Sequence, residues 1–170
     1  MPDPEILIRP FRARHRHAVV RMLSVSEPWV RLGYGQRDWR SRLARKRRDD
    51  EGHVLLYGRA VAGFALVRRA FLLGDYLELL VVAPEARDHG LGRQLLAHIE
   101  RITFARARNL FVCVSDFNRG ARRFYAGAGY REVGRLPALL VSGRAEILLR
   151  KTTGPARGRR RASAPARRRR

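Results

Sequence analysis

Apolar positions along this chain follow two periods, and the switches between them mark the elements. Glu5 to Phe11 carries the run Ile6-Leu7-Ile8 and reads as a first strand, stopped near Pro10. Over residues 12–25 the pattern turns helical, with Val19, Met22 and Leu23 among its apolar positions. Pro28, Trp29, Gly33 and Tyr34 place a loop over 24–35. Trp39 and Leu43, four apart, predict a second helix over 36–48 whose remaining positions are dense in arginine. Asp49-Asp50-Glu51-Gly52 predicts a turn. His53–Tyr57, the tight Gly58-Arg59 turn and Ala60–Phe71 form a hairpin pattern, and Gly74-Asp75 leads into a central strand, Tyr76–Val82. Strands two, three and four are thus expected to be antiparallel.

The second half changes the connectivity. Leu91, Leu95, Ile99 and Ile102 predict a helix from Gly90 to about Arg108 with one apolar stripe for the sheet. The next apolar run, Leu110–Val114, follows a helical crossover and is therefore expected parallel to the central strand. Asn118 can cap a short helix over 119–127. Residues 129–135 and 144–151 read as two further strands around a loop at 136–143. One α/β domain over 1–153 accounts for these patterns. From Gly154 only Arg, Ala, Pro, Gly and Ser occur, so 154–170 is expected to be a disordered basic tail.

Candidate chemistry concentrates where the central strand ends. Pro84 stops it, and Arg87-Asp88-His89-Gly90-Leu91-Gly92-Arg93 bridges to the helix. Glycines one residue apart allow close backbone approach to a ligand. N–H groups at a helix start, with the helix dipole, favour an anion, and Arg87, His89 and Arg93 add positive side chains. A phosphate-bearing ligand suits this turn. Gly92 is followed by Arg93-Gln94, which excludes a Walker loop, and position 95 is leucine, which excludes the three-glycine dinucleotide fingerprint.

Arg87-x-x-Gly90-x-Gly92 after an apolar strand resembles the acetyl-CoA loop of the GNAT superfamily of N-acetyltransferases. A second family segment follows: Asn118, then Ala121-Arg122-Arg123-Phe124-Tyr125, then Gly129-Tyr130. Glu27-Pro28-Trp29-x-x-Leu32-Gly33 is similar to a small bacterial subset carrying Pro-Trp. The resemblance spans about residues 6–152. It implies a mixed, mostly antiparallel sheet of six to seven strands with helices on both faces and a splayed parallel pair at the cofactor site. It implies acetyl-CoA as co-substrate, gripped by the backbone of Leu80, Val81 and Val82, by Arg87, Asp88, His89, Gly90, Leu91, Gly92 and Arg93, and by Asn118. The Val82 N–H becomes the candidate oxyanion donor and Tyr125 the general acid. Phe124 is expected to point into the core.

The base is open at this level. Glu78 is the only acid inside the central strand, and alternation puts it on one face with Tyr76, Leu80 and Val82. Glu27 and Asp116 are alternatives. Acetyltransferases of ribosomal-protein alanine often carry a glutamate on the fifth strand, five before the asparagine, where this chain has Cys113.

Charge widens the reading. Net charge is +22, and all 37 basic residues but Lys46 and Lys151 are arginine. The tail holds eight of them and no acid, so non-specific nucleic-acid binding through the tail stands as an alternative partner reading. An acyl-CoA-binding module without turnover is another. His15 and His17 sit among arginines and read as a solvated basic face; no metal site is expected. Cys113 stands alone, which precludes an intrachain disulfide and reads as a small core residue. No apolar run approaches a membrane span, and Met1–Glu5 lacks the marks of a leader, so a cytoplasmic protein is expected. The acceptor is expected to be an amine on a small molecule or protein, and a homodimer stays open.

Overall fold

A computed structural model describes residues 4–45 and 47–155. Seven strands form one sheet: β1 (Ile6–Pro10), β2 (Asp50–Tyr57), β3 (Ala60–Phe71), β4 (Gly74–Val82), β5 (Asn109–Ser115), β6 (Arg131–Pro137) and β7 (Ala145–Thr152). Their spatial order is β1-β2-β3-β4-β5-β7-β6. All neighbours are antiparallel except β4 and β5, which are parallel. The helices α1 (Arg16–Ser24), α2 (Gln36–Ala44), α3 (Leu91–Phe104) and α4 (Arg119–Gly127) cover the two faces. This is the mixed α/β architecture expected.

The helix α3 forms because its apolar residues fall on one stripe. Leu91, Leu95, Leu96 and Ile99 are buried against the sheet. Each fully buried side chain of this size stabilises the fold by about 1.5–3 kcal/mol. On α2, Trp39 and Leu43 are the buried pair, and Tyr34 stacks on Trp39 with ring centroids 5.2 Å apart while Trp29 meets it edge-on at 5.5 Å. Trp29 both packs on the core and faces a cavity.

Several boundaries differ from the sequence reading. The turn expected at 49–52 is mostly strand: Asp50, Glu51 and Gly52 pair with Arg68, Val67 and Leu66. Arginines draw the acids in, since Asp50 binds Arg42 at 3.0 Å and Glu51 binds Arg106 at 2.8 Å. Gly52 is needed there because a β-carbon would lie 2.8 Å from that of Phe11. A 3-10 turn at Ala13–His15 precedes α1, so the first helix is shorter than expected. His15 is buried rather than solvated, accepting from the Arg12 N–H at 3.0 Å, and burial pushes its pKa down. α2 ends at Ala44 and α3 at Phe104, where the chain turns; β6 begins and ends two residues later than expected. The tail assignment lies, from residue 156 onward, outside the described residues.

β4 and β5 define the working centre of the sheet. They pair over only three positions, Asp75–Leu110, Tyr76–Phe111 and Leu77–Val112. Beyond them β5 stays with β7 along its whole length, to Ser115–Glu146. β4 goes on to Val82 without a partner on that side.

Candidate active site

The gap between the diverging strands exposes backbone. The Ala83 N–H donates to the Ala62 carbonyl at 2.8 Å, so position 83 faces β3. Alternation then turns the N–H and C=O of Val82 and Leu80 toward the gap. From that side the Arg87 Nε donates to the Val82 oxygen at 3.4 Å, and Arg87 Nη2 reaches Ser26 Oγ at 3.2 Å. Arg87 thus ties the turn to the end of β4 and to the loop after α1.

A groove of about 610 Å³ runs from this gap to the start of α3. Gly90, at φ +71°, caps α3 in the left-handed region, and Asp88 shares that region at φ +64°. The turn is followed by successive free N–H groups at the helix start, an arrangement that suits an anion. A β-carbon on Gly92 would sit 3.5 Å from Val82 and 3.7 Å from Phe124, filling the groove between them. Phe124 is half-buried and walls this groove besides packing on the core, which corrects its expected burial. Leu91 and Val81 are buried, so only their backbone can reach the groove. Arg93 and Asp88 line it with exposed side chains. His89 does not line it: its Nδ1 lies 2.7 Å from the Arg87 oxygen and its ring tilts over Tyr57.

A second, smaller cavity of about 200 Å³ opens beyond the first. Glu27, Leu80, Asn118 and Ala121 line both. Asn118 Oδ1 accepts from the Ala121 N–H at 3.1 Å, capping α4 and leaving its amide nitrogen for the cavities. Tyr125, about two turns further along α4, is 5 % exposed and lines the small cavity. Burial pushes its phenol pKa up, which keeps the proton on oxygen. Tyr76 and Cys113 line the same cavity, and burial raises the pKa of both. Cys113 is half-buried on the cavity wall, not in the core.

Glu78 lines this cavity too, but its carboxylate is engaged. Oε1 accepts from Arg42 Nε at 2.6 Å, and Oε2 accepts from Arg42 Nη2 at 2.8 Å and Arg68 Nη2 at 2.6 Å. Asp116 lines neither cavity; its Oδ2 accepts from Arg135 and from the Ala145 N–H at 3.2 Å. Glu27 is exposed where the two cavities join.

A carboxylate outside the sequence reading completes the wall. Glu146 on β7 is 5 % exposed, and its Oε1 accepts from Ser115 Oγ at 2.7 Å. Burial pushes its carboxyl pKa up; the Ser115 bond acts the other way, and Asp116 adds to the rise. The signal was present, since Glu146 is the only acid in the apolar run Ala145–Leu149, the same anomaly that singled out Glu78.

Residues 17–130 match the model of the acetyltransferase (GNAT) family. This stretch carries both the Arg87–Gly92 turn and the Asn118–Tyr125 segment. The chain belongs to the GNAT acetyltransferase family. Solved structures agree on the fold. One is an N-acetyltransferase of ribosomal-protein alanine from Escherichia coli, 18 % identical with a TM-score of 0.73 over 87 % of this chain and 94 % of that one. An aminoglycoside 6'-N-acetyltransferase complexed with coenzyme A is 18 % identical, with a TM-score of 0.73 over 88 % and 98 %. A GNAT acetyltransferase from Elizabethkingia anophelis with acetyl-CoA bound is 17 % identical, with a TM-score of 0.66 over 86 % and 97 %. This GNAT protein is accordingly an acetyltransferase, and two of the neighbours above hold coenzyme A or acetyl-CoA. The groove fits such a tenant, with an unpaired strand edge, a side-chain-free passage at Gly92 and a cationic turn. Among the described residues no helix is long and apolar enough to cross a membrane, and no group of three His, Cys, Asp or Glu is placed to hold a metal ion.

Proposed function

We propose that this GNAT protein acetylates an amine, on a small molecule or at a protein position, that enters the smaller cavity. One observation carries the reading: the groove and the small cavity meet at Leu80, Asn118 and Ala121, beyond the point where β4 and β5 part, with Tyr125 on the wall of the small cavity. The gap-facing backbone of Leu80 and Val82, with Val81 between them, holds the extended arm of the cofactor. Arg87, Asp88, Gly90, Leu91, Gly92 and Arg93 receive its phosphates, His89 steadies the turn, and Asn118 contacts the cofactor beyond the thioester. Bound acetyl-CoA supplies an acetyl group activated as a thioester. The Val82 N–H is placed to stabilise developing negative charge on the acyl oxygen, and Tyr125, still protonated at neutral pH, donates to the departing sulfur.

The test is a screen of primary amines with acetyl-CoA, following thiol release, alongside calorimetry with acetyl-CoA alone. Binding with amine-dependent release is expected. Absence of acetyl-CoA binding would overturn the cofactor assignment. Binding without release on any amine would leave an acyl-CoA-binding module instead.

A further inference from the structure

The small cavity contradicts the charge of the chain that builds it. The protein carries 37 arginines and lysines against 15 acids. Yet among the described residues the cavity wall holds Glu27, Glu78 and Glu146 and no arginine, lysine or histidine. Apart from Cys113, Ser115 and Asn118, the rest of the wall is apolar or aromatic, with Trp29, Leu32, Leu139 and Leu140 on the loop side.

The three carboxylates are not equivalent. Glu78 is neutralised by Arg42 and Arg68, and both its oxygens are occupied. Glu27 is exposed at the entrance. Glu146 is buried, has no cationic partner, and keeps Oε2 free of hydrogen bonds among the described residues. Ser115, its cross-strand neighbour, fixes Oε1 and thereby the orientation of the other oxygen. The titratable groups around it are Tyr76 and Glu78 on β4 and Cys113 and Asp116 at the end of β5, while Arg135 is spent on Asp116. A buried carboxylate with no cation on the protein is costly unless a ligand brings one.

We propose that Glu146 receives the ammonium group of the acceptor and removes its proton, and that the acceptor carries no carboxylate or phosphate beside that nitrogen. This rests on the acetyltransferase reading and names its substrate class: small alkyl or arylalkyl amines rather than free amino acids. One proton passes from R–NH3+ to Glu146 and frees the nitrogen lone pair. The C–N bond to the acyl carbon forms and the C–S bond breaks, its electron pair leaving on sulfur, which takes a proton from Tyr125. The second N–H proton of the nascent amide restores Tyr125, directly or through water. Glu146 returns its proton to solvent, so one proton is released per turnover. An anionic group beside the nitrogen would meet Glu146 with no cation on the wall to offset it.

The test uses matched probes that differ only by the carboxylate: tyramine against tyrosine, and isoamylamine against leucine. With coenzyme A present, calorimetry should show each amine binding at least tenfold more tightly than its amino acid. Glu146→Gln keeps the acceptor atom for Ser115 and should weaken amine binding at least fivefold, with acetyl-CoA affinity unchanged. Its thermal midpoint near pH 7 should be no lower than wild type, because a carboxylate disfavoured by burial has been removed. Its turnover should fall and recover partly at high pH, where the amine loses its proton unaided. Glu146→Asp, which retains charge, should bind amines and turn over better than Glu146→Gln. Equal binding of amine and amino acid, failure of both amines to bind wild type, or an alkali-rescued defect in Glu78→Gln but not Glu146→Gln would overturn the proposal. Because binding is read without chemistry, a protein that binds amines as expected but transfers nothing would overturn the acetyltransferase reading alone.

Discussion

Arg42 grips Glu78 at two points across 36 residues of sequence, with Nε on Oε1 at 2.6 Å and Nη2 on Oε2 at 2.8 Å. Arg42 also binds Asp50 at 3.0 Å, and Arg68 closes the cluster at 2.6 Å from Glu78. The cluster pins α2 to β2, β3 and β4, and it occupies both carboxylate oxygens of Glu78. Hydrogen bonds between charged groups contribute about 1.5–3 kcal/mol each where water is partly excluded. Arg42→Met should therefore lower unfolding free energy by about 2 kcal/mol in a urea titration, and a double-mutant cycle with Glu78→Gln should show clear coupling. Additive effects would show that the two side chains do not support one another.

The cofactor groove gives a second expectation. Gly92→Glu places bulk and negative charge between Val82 and Phe124, on the path assigned to the phosphates. Acetyl-CoA affinity measured by calorimetry should drop at least tenfold, which corresponds to about 1.4 kcal/mol. Unchanged affinity in a folded protein would move the phosphates elsewhere.

What the sequence disclosed follows from what is local. Leu91, Leu95 and Ile99 announce α3 because helical periodicity is written along one segment, and the Arg87–Gly92 turn is a contiguous string. The gap between β4 and β5 was legible only through family resemblance, since no residue in either strand encodes a missing partner. Asp50 and Glu51 looked like a turn because their partners, Arg42, Arg68 and Arg106, lie elsewhere in the chain. The same blindness hid the difference between Glu78 and Glu146. Both are lone acids in apolar strands, and only the fold shows that two arginines reach one while a serine alone reaches the other.

The histidine pair on β2 and α3 gives an expectation for stability in acid. His53 Nδ1 lies 3.3 Å from His98 Nε2. Burial, and next the neighbouring His98, lower the His53 pKa from 6.5 to about 4. The unfolded chain takes up this proton near pH 6.5 and the folded one only near pH 4. The stabilisation is thus complete above pH 6.5 and is lost as pH falls toward 4. His53→Gln should flatten the fall in thermal midpoint between pH 6.5 and 4. An unaltered profile would place the acid sensitivity in other groups.

Tyr125 offers the sharpest separation of chemistry from binding. Its ring packs edge-on against Phe124 and Tyr130, at 5.1 and 5.3 Å, so Tyr125→Phe preserves the core and deletes one hydroxyl. Burial raises its pKa, so the phenol carries its proton at neutral pH. A group that donates only as charge develops on sulfur contributes to the transition state and little to the bound ground state. The variant should bind acetyl-CoA as wild type does and lose kcat by roughly 10²–10⁴-fold. Alkali should not restore it, because raising pH supplies no proton to a leaving thiolate. Recovery at high pH would instead place Tyr125 in acceptor deprotonation, and full activity at neutral pH would remove it from proton transfer altogether.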